Sequence, residues 1–227
     1  MIVTTPNPML ARLVADLTGD GHIQIQNWKH IISFYSKNME EIEAFRIRFR
    51  EMFGIDGKIY VDRRGSVRYK LFFISKEAAL ILKELETPVG NKTNIPFKVP
   101  EWVFRGGDEI KAAYIQGIYD CEGYIYSNMN NGKIRWRIGL SMCKNQNIVD
   151  DGVAYMNQLR LILSDFGVKS SPVRKRLANI RKDGSKTIEL IYEIEASSFN
   201  NFYKYIGFTN KMKREKLLTA LAICGDI

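Results

Sequence analysis

The chain has 227 residues, 45% of them hydrophobic, enough for one large core or two compact halves, which excludes a peptide hormone or a disordered tail. Its 34 Lys and Arg outweigh 25 Asp and Glu, and the net charge of +9 points to a polyanionic partner such as nucleic acid. No apolar run approaches the ~20 residues that span a bilayer, and the start MIVTTPNPML lacks a secretory signal. Cys121, Cys143 and Cys224 cannot all pair, and with His22 and His30 the only histidines no zinc-type cluster is expected. A soluble chain with no membrane role is expected, in an intracellular, reducing setting: a prokaryotic cytoplasm or an organelle.

Asn7 is placed to cap a first helix with Pro8 inside its start, and Leu10, Leu13, Val14 and Leu17 recur on one face. After Gly21, alternation sets Gln24 and Gln26 opposite Ile23 and Ile25. A strand, a helix ending near Phe53–Ile55 and a second hairpin follow, its turn at Arg64 to Gly65, with Arg68 and Lys70 opposite Tyr69 and Leu71. A Ser-led helix closes this half. Pro88, Pro96 and Pro100 mark a linker from Thr87 to Gly107. Asp108, after two glycines, opens a second series with turns at Asn130 to Gly132 and Asp183 to Gly184. In KIRWRIGLSM, Lys133, Arg135, Arg137 and Ser141 share one face, and Ile134, Trp136, Ile138, Leu140 and Met142 the other. In KTIELIYEIEA, Glu189, Glu193 and Glu195 fall on the polar face. They either pair with Arg174, Lys175 or Arg176 or accept a cytosine amino group, and the sequence leaves both open. Met212 to Cys224 forms the last helix.

These landmarks repeat. LVADLTGDG at Leu13–Gly21 matches IQGIYDCEG at Ile115–Gly123, Phe53–Ile55 matches Phe166–Val168, and Asn91–Lys92 matches Asn210–Lys211. Both parts are basic, with 16 basic against 12 acidic residues up to Gly107 and 18 against 13 after it. The expected fold is α+β, an αββαββα unit present twice with antiparallel sheets: residues 1–86, a linker 87–107, and residues 108–227.

Ala11, Ala15 and Gly19 recur four apart, as do Ala113, Gly117 and Cys121, so two helices carry matching stripes of small residues that permit close approach. Each stripe is followed at once by an acid, Asp20 or Glu122. If the two helices pack together, the carboxylates end side by side and call for a hard divalent cation. On a basic protein that arrangement suggests metal-assisted phosphoryl transfer.

LVADLTGDG and IQGIYDCEG resemble the two copies of the motif that defines the LAGLIDADG homing endonucleases, and the duplicated order covers nearly the whole chain. The resemblance implies a monomer that saddles double-stranded DNA with two sheets and cuts both strands of a long asymmetric site, leaving short 3′ overhangs. It implies Mg2+ as cofactor, with Mn2+ or Ca2+ able to substitute for binding. Asp20 and Glu122 take the motif's last acidic position and become the metal ligands, together with Gly19 and Cys121 before them. A lysine near each metal is implied, Lys92 in the first half and Lys211 or Lys213 in the second. A polar residue at the end of each second strand would complete a water network: Asn38, and Lys144 or Asn145. The implied DNA contacts are Gln24, Gln26, Ser33, Tyr35, Lys37, Arg68, Lys70, Lys133, Arg135, Arg137, Ser141, Arg174 and Arg176. Gln and Arg have the bidentate geometry for adenine and guanine edges. Thr18, Asp16 and Gln116 depart from the motif without touching the metal position.

An EF-hand over Asp16 to Asn27 fails for want of the closing Glu. The ends, Met1 and Ile227, carry neither nucleophile nor Asn, so a free-standing intron-encoded protein is expected rather than an intein. Two rivals share the expected fold: an RNA maturase that binds its host intron RNA, and a DNA-binding protein without cleavage.

Overall fold

The computed structural model of the chain describes residues 5–63 and 67–224. The Arg64–Gly65 turn lies outside the described residues. By internal packing the chain divides into two compact units, Met1–Ile95 with Pro100–Gly117, and Pro96–Val99 with Ile118–Ile227.

The first unit opens with helix α1 (Pro8–Thr18), whose Asn7 side chain accepts from the Leu10 amide at 3.0 Å as its N-cap. Strands β1 (Gly21–Gln26) and β2 (Lys29–Ser36) form a tight hairpin in which Asn27 adopts a positive φ of 51°. Helix α2 (Met39–Phe53) is capped by Asn38 and stopped by Gly54 at φ 68°, which explains the recurring FG pair: Gly167 repeats that conformation at φ 69°. Strands β3 (Lys58–Asp62) and β4 (Arg68–Ile74) complete a four-stranded antiparallel sheet ordered β1-β2-β4-β3, and α3 (Lys76–Glu84) follows. One face of this sheet is sealed by aromatics. Phe34 stacks on Phe45 at 4.4 Å, and Phe49 on Phe73 at 3.7 Å, joining α2 to β2 and β4.

The connection is not structureless. It contains a short helix, α4 (Glu101–Phe104), fixed to the end of α3 by the Trp102 indole donating to the Leu85 carbonyl at 3.1 Å and by the Glu86 carboxylate accepting from the Glu101 amide. Helix α5 (Asp108–Glu122) then begins, and its residues through Gly117 belong to the first unit. There the small-residue stripe has a direct consequence. A β-carbon on Gly117 would stand 2.6 Å from that of Ala15 and 3.0 Å from Arg12 Cδ, so α1 and α5 touch at a distance only glycine allows.

The second unit repeats the plan. Strands β5 (Gly123–Asn130) and β6 (Lys133–Asn145), helix α6 (Val149–Asp165), strands β7 (Arg174–Ile180) and β8 (Lys186–Glu193) and helix α7 (Phe199–Tyr205) give a sheet ordered β5-β6-β8-β7. The register repeats too: Gly21 faces Phe34 where Gly123 faces Leu140. Tyr119, Phe202 and Phe208 form its aromatic cluster. A further helix, α8 (Lys211–Cys224), ends the described chain. Among the described residues, no helix is long and apolar enough to cross a membrane.

Two expectations are corrected. Strand β8 stops at Glu193, so Glu195 lies beyond it and does not share the polar face; Ile194 leaves the strand to bridge Ser170, and the Glu195 amide bonds to the Lys169 carbonyl. Ile134, assigned by alternation to the apolar face, is 51% exposed; it lies next to the β5–β6 turn, where its register partner Met129 is 71% exposed as well.

Candidate functional site

Each unit places an acid at the C-terminal end of a long helix. Asp20 follows the end of α1 and is exposed; Glu122 is the last residue of α5 and is half-buried. The carbonyls at a helix C-terminus carry its negative pole and lack intrahelical donors. In both units a lysine answers them. The Lys92 ammonium donates to the carbonyls of Leu17 at 3.3 Å, Thr18 at 2.8 Å and Gly19. The Lys213 ammonium donates to those of Tyr119 at 3.0 Å and Asp120 at 2.6 Å. Of the two lysines proposed by sequence for the second half, Lys213 makes this contact, while Lys211 sits exposed at the start of α8.

The two lysines are held by different means. In the second unit the Asp120 carboxylate accepts from the Thr209 amide at 3.0 Å, from the Thr209 hydroxyl and from the Asn210 amide at 3.2 Å. Asn210 in turn caps α8 by accepting from the Lys213 amide at 3.0 Å. A clasp from α5 therefore sets the helix that returns Lys213 to α5. The first unit has Thr18 at the matching position, and its hydroxyl bonds back to Val14 instead. Lys92 is carried by the connecting segment, which is tied to β1 by the Gly90 amide donating to the Ile23 carbonyl at 2.8 Å. His22 adds to this tie. Its imidazole bonds the Gly90 backbone, and burial, then the Lys92 charge, hold its pKa below the usual histidine range. Sequence reading does not single out Asp120, Thr209 or His22, although the acid missing at Thr18 and present at Asp120 was the available signal.

The other motif departures are also explained. Asp16 is 1% exposed, yet its carboxylate accepts from Arg12 Nε at 2.9 Å and Arg48 Nη2 at 2.6 Å, and Arg12 Nη1 donates to Gln116 at 3.2 Å. A charge in an apolar position is tolerated because two guanidinium groups come with it.

Asn38 is half-buried and serves as the α2 N-cap, accepting from the Glu40 amide at 2.9 Å, and Asn145 does the same for the 3-10 turn after β6. Lys144 lies on the core side of β6 with 1% exposure, its ammonium 3.7 Å from the Phe97 ring centre. Strand alternation turns Cys143, not Lys144, to the outer face. Among the described residues no three His, Cys, Asp or Glu side chains gather as a ready metal cage. The donors at each helix end are instead one carboxylate and main-chain carbonyls, all hard oxygens. That set fits a cation which keeps part of its water shell and takes its remaining ligands from phosphate. The ammonium groups drawn onto these carbonyls show that the helix ends attract positive charge.

On the face of the first sheet away from its aromatic core stand His22, Gln24, Gln26, Tyr35, Lys70 and Arg68. Ser33 shares this face but is 1% exposed beside its register partners His22 and Phe72, and Lys37 is exposed just past β2. On the second sheet the outer face carries Tyr124, Tyr126, Lys133, Arg135, Arg137, Ser141, Arg174, Arg176, Glu189 and Glu193.

Residues 109–207 match the family described as the LAGLIDADG-like domain. The resemblance read from the two motifs is to this family, and the whole chain has the α+β homing-endonuclease fold. It is similar to the homing endonuclease I-DmoI in complex with DNA and Mn, with a TM-score of 0.54 and 15% identity over 88% of this chain and 96% of that one. It is equally similar to the homing endonuclease I-WcaI bound to its DNA recognition sequence, with a TM-score of 0.54 and 16% identity over 94% and 87%. Full-length DUF199/WhiA from Thermatoga maritima matches with a TM-score of 0.53 and 12% identity over 96% and 62%. At these identities the likeness is one of fold. Among curated relatives, the chain is 27% identical to a glutamine–fructose-6-phosphate aminotransferase of Methanocaldococcus jannaschii, over 94% of this chain and 17% of that protein. It is 25% identical to the DNA-directed RNA polymerase subunit Rpo1N of the same organism, over 92% and 16%. A tRNA-splicing ligase RtcB of Pyrococcus furiosus is 24% identical over 94% and 22%. The chain spans less than a quarter of the length of these relatives.

Proposed function

We propose that the chain is a sequence-specific endonuclease of double-stranded DNA that acts as a monomer and leaves short 3′ overhangs. The observation that carries this reading is the repeated helix end: an acid at the helix C-terminus and a lysine ammonium on its last carbonyls, once in each unit. Asp20 with the Gly19 carbonyl, and Glu122 with that of Cys121, would hold divalent metal, magnesium in the first place. Such a cation, when bound, supplies Lewis-acid polarisation of the scissile phosphate. Lys92 and Lys213 add positive charge where charge develops on the phosphate oxygens and orient the attacking water. The outer sheet faces hold the duplex through Arg and Lys to phosphate and through Gln and Arg to bases.

The curated relatives support the setting. An aminotransferase, a polymerase subunit and a ligase share no chemistry, yet each contains a matching segment that makes up less than a quarter of its length. A segment recurring in unrelated proteins behaves as an insertion independent of its hosts, which is the habit of a homing element. Their activities are therefore not transferred here. Carriage within an intron and carriage within a host reading frame are distinguished by sequencing transcripts across the flanking DNA.

The fold shared with WhiA supports a second reading, DNA binding without cleavage. Incubating a randomised duplex library with and without magnesium and sequencing the ends separates the two. Magnesium-dependent ends at one long site support the endonuclease. Enriched binding without ends supports the second reading, and selective enrichment of host intron RNA alone would move the protein to a maturase role.

A further inference from the structure

The second sheet holds its arginines with the carboxylates that the sequence placed on its polar face. Arg176 and Glu189 are direct register partners on β7 and β8. Both Nε and Nη2 of Arg176 donate to Glu189 Oε2, at 2.9 and 2.5 Å. Glu193, two rows further along the same face, accepts from Arg137 Nη1 at 2.7 Å and pairs with Arg174 Nη2 at 3.3 Å. The Tyr124 hydroxyl donates to the second Glu193 oxygen at 3.4 Å, across the place where Gly139 has no side chain. The Glu193 amide is itself bonded to Ser171 at 3.0 Å. The carboxylates are mostly covered, at 18% and 17% side-chain exposure, while Arg176 and Arg174 are 69% and 62% exposed. Together they line an open concavity of about 710 Å³.

A guanidinium has two forked edges, and a carboxylate on one leaves the other facing outward. With Nε and Nη2 engaged by Glu189, Arg176 offers its Nη1/Nη2 edge, the planar donor pair that matches O6 and N7 of guanine. A free exposed arginine must first lose its rotamer freedom; one already fixed loses less and distinguishes bases more sharply. The carboxylates also cancel most of the charge of these three arginines, which weakens their claim on phosphate.

Building on the DNA-binding reading above, we infer that Glu189 is a specificity-determining residue: it fixes Arg176 as a guanine reader, while Glu193 holds Arg137 and Arg174 beside it, making the half-site under this sheet guanine-selective. The first sheet, with Gln24 and Gln26 on its outer face, carries side chains suited to adenine.

The test is selection of bound duplexes from a randomised library in EDTA, so that cleavage plays no part, using the wild-type chain, Glu189→Gln, Glu193→Gln and Arg176→Lys. Each variant is first checked for an unchanged thermal transition. The wild type is expected to enrich guanine at defined positions of one half-site. Glu189→Gln should lower that preference about tenfold at one position while total DNA affinity holds or rises, and Arg176→Lys should lower it at the same position. If Glu189→Gln removes a preference that Arg176→Lys retains, the carboxylate reads cytosine itself and the inference is overturned. Uniformly higher affinity with unchanged base preference also overturns it, leaving the carboxylates as charge balance only. A wild type that enriches no duplex overturns the DNA-binding reading and this inference with it, a result distinct from enrichment that the variants leave unaltered.

Discussion

Asp16 and Gln116 meet on one guanidinium: Arg12 donates from Nε to the buried carboxylate on its own helix and from Nη1 to the amide on α5. The two positions at which the chain departs most from its motif are thus one linked substitution, with Arg48 of α2 as its third member.

Asp16 and Asp20 lie one helical turn apart and have opposite expectations. Asp16→Ala strands two guanidinium groups in a largely buried setting and should cost about 3 kcal/mol, the scale for breaking a buried pair. Asp20→Asn, on an exposed residue, should change stability by less than about 0.5 kcal/mol and abolish cleavage with binding retained. Urea unfolding and a plasmid cleavage assay on the two variants check this, and Glu122→Gln should behave as Asp20→Asn does.

The contact between α1 and α5 is set by Gly117. Gly117→Leu must push the helices apart and should destabilise the chain by about 1–3 kcal/mol, the range for overpacking, measured as a lower urea midpoint.

Lys92→Met and Lys213→Met each remove one ammonium from one helix end. On supercoiled plasmid each should slow cutting of one strand by roughly a hundredfold, the lower end of what removing one preorganised electrostatic donor costs. Nicked circles would then accumulate; equal slowing of both strands would contradict separate roles.

Asp120→Asn weakens the clasp on Thr209 and Asn210. The loss of charge-assisted bonds should lower stability by about 1.5 kcal/mol and, through α8, slow the same strand that Lys213 serves. Thr18→Val, at the matching place in the first unit, should leave cleavage unchanged.

His22 has a folded pKa below its unfolded value, so the unfolded chain takes up the proton more readily. Its contribution to stability is present above about pH 6.5 and is lost as pH falls toward the folded value. The wild type should therefore lose urea resistance between pH 7.5 and pH 5, and His22→Gln should lose less. Matching pH curves for the two would remove His22 from the account.

Much of this was legible in the chain. Asn7 and Pro8, the FG stops and the alternation of β6 are local signals, and the FG stop counted twice because it recurs in both repeats. The acids and lysines followed from the repeat, but the choice of Lys213 over Lys211 did not, because it depends on where Asn210 begins α8. Lys144 was unreadable for a similar reason: alternation assigns it to the core side, and the Phe97 ring that its ammonium packs against comes from the connecting segment, far away in sequence. Asp16 looked like a flaw in an apolar stripe because its partner Arg48 is 32 residues away. The end of β8 depended on Ser170, far from it in sequence.

The segment joining the repeats has a bearing on how the protein could be taken apart. Since Lys92 reaches back from it to the end of α1, and Gly90 bonds β1, the segment belongs to the machinery of the first half rather than acting as a spacer. A hybrid chain that exchanges first halves must carry this stretch with its own α1, and a junction placed before residue 92 would graft a helix end without its lysine. The second half, whose lysine arrives on α8, imposes the opposite rule: its C-terminal helix is the part that a truncation cannot spare.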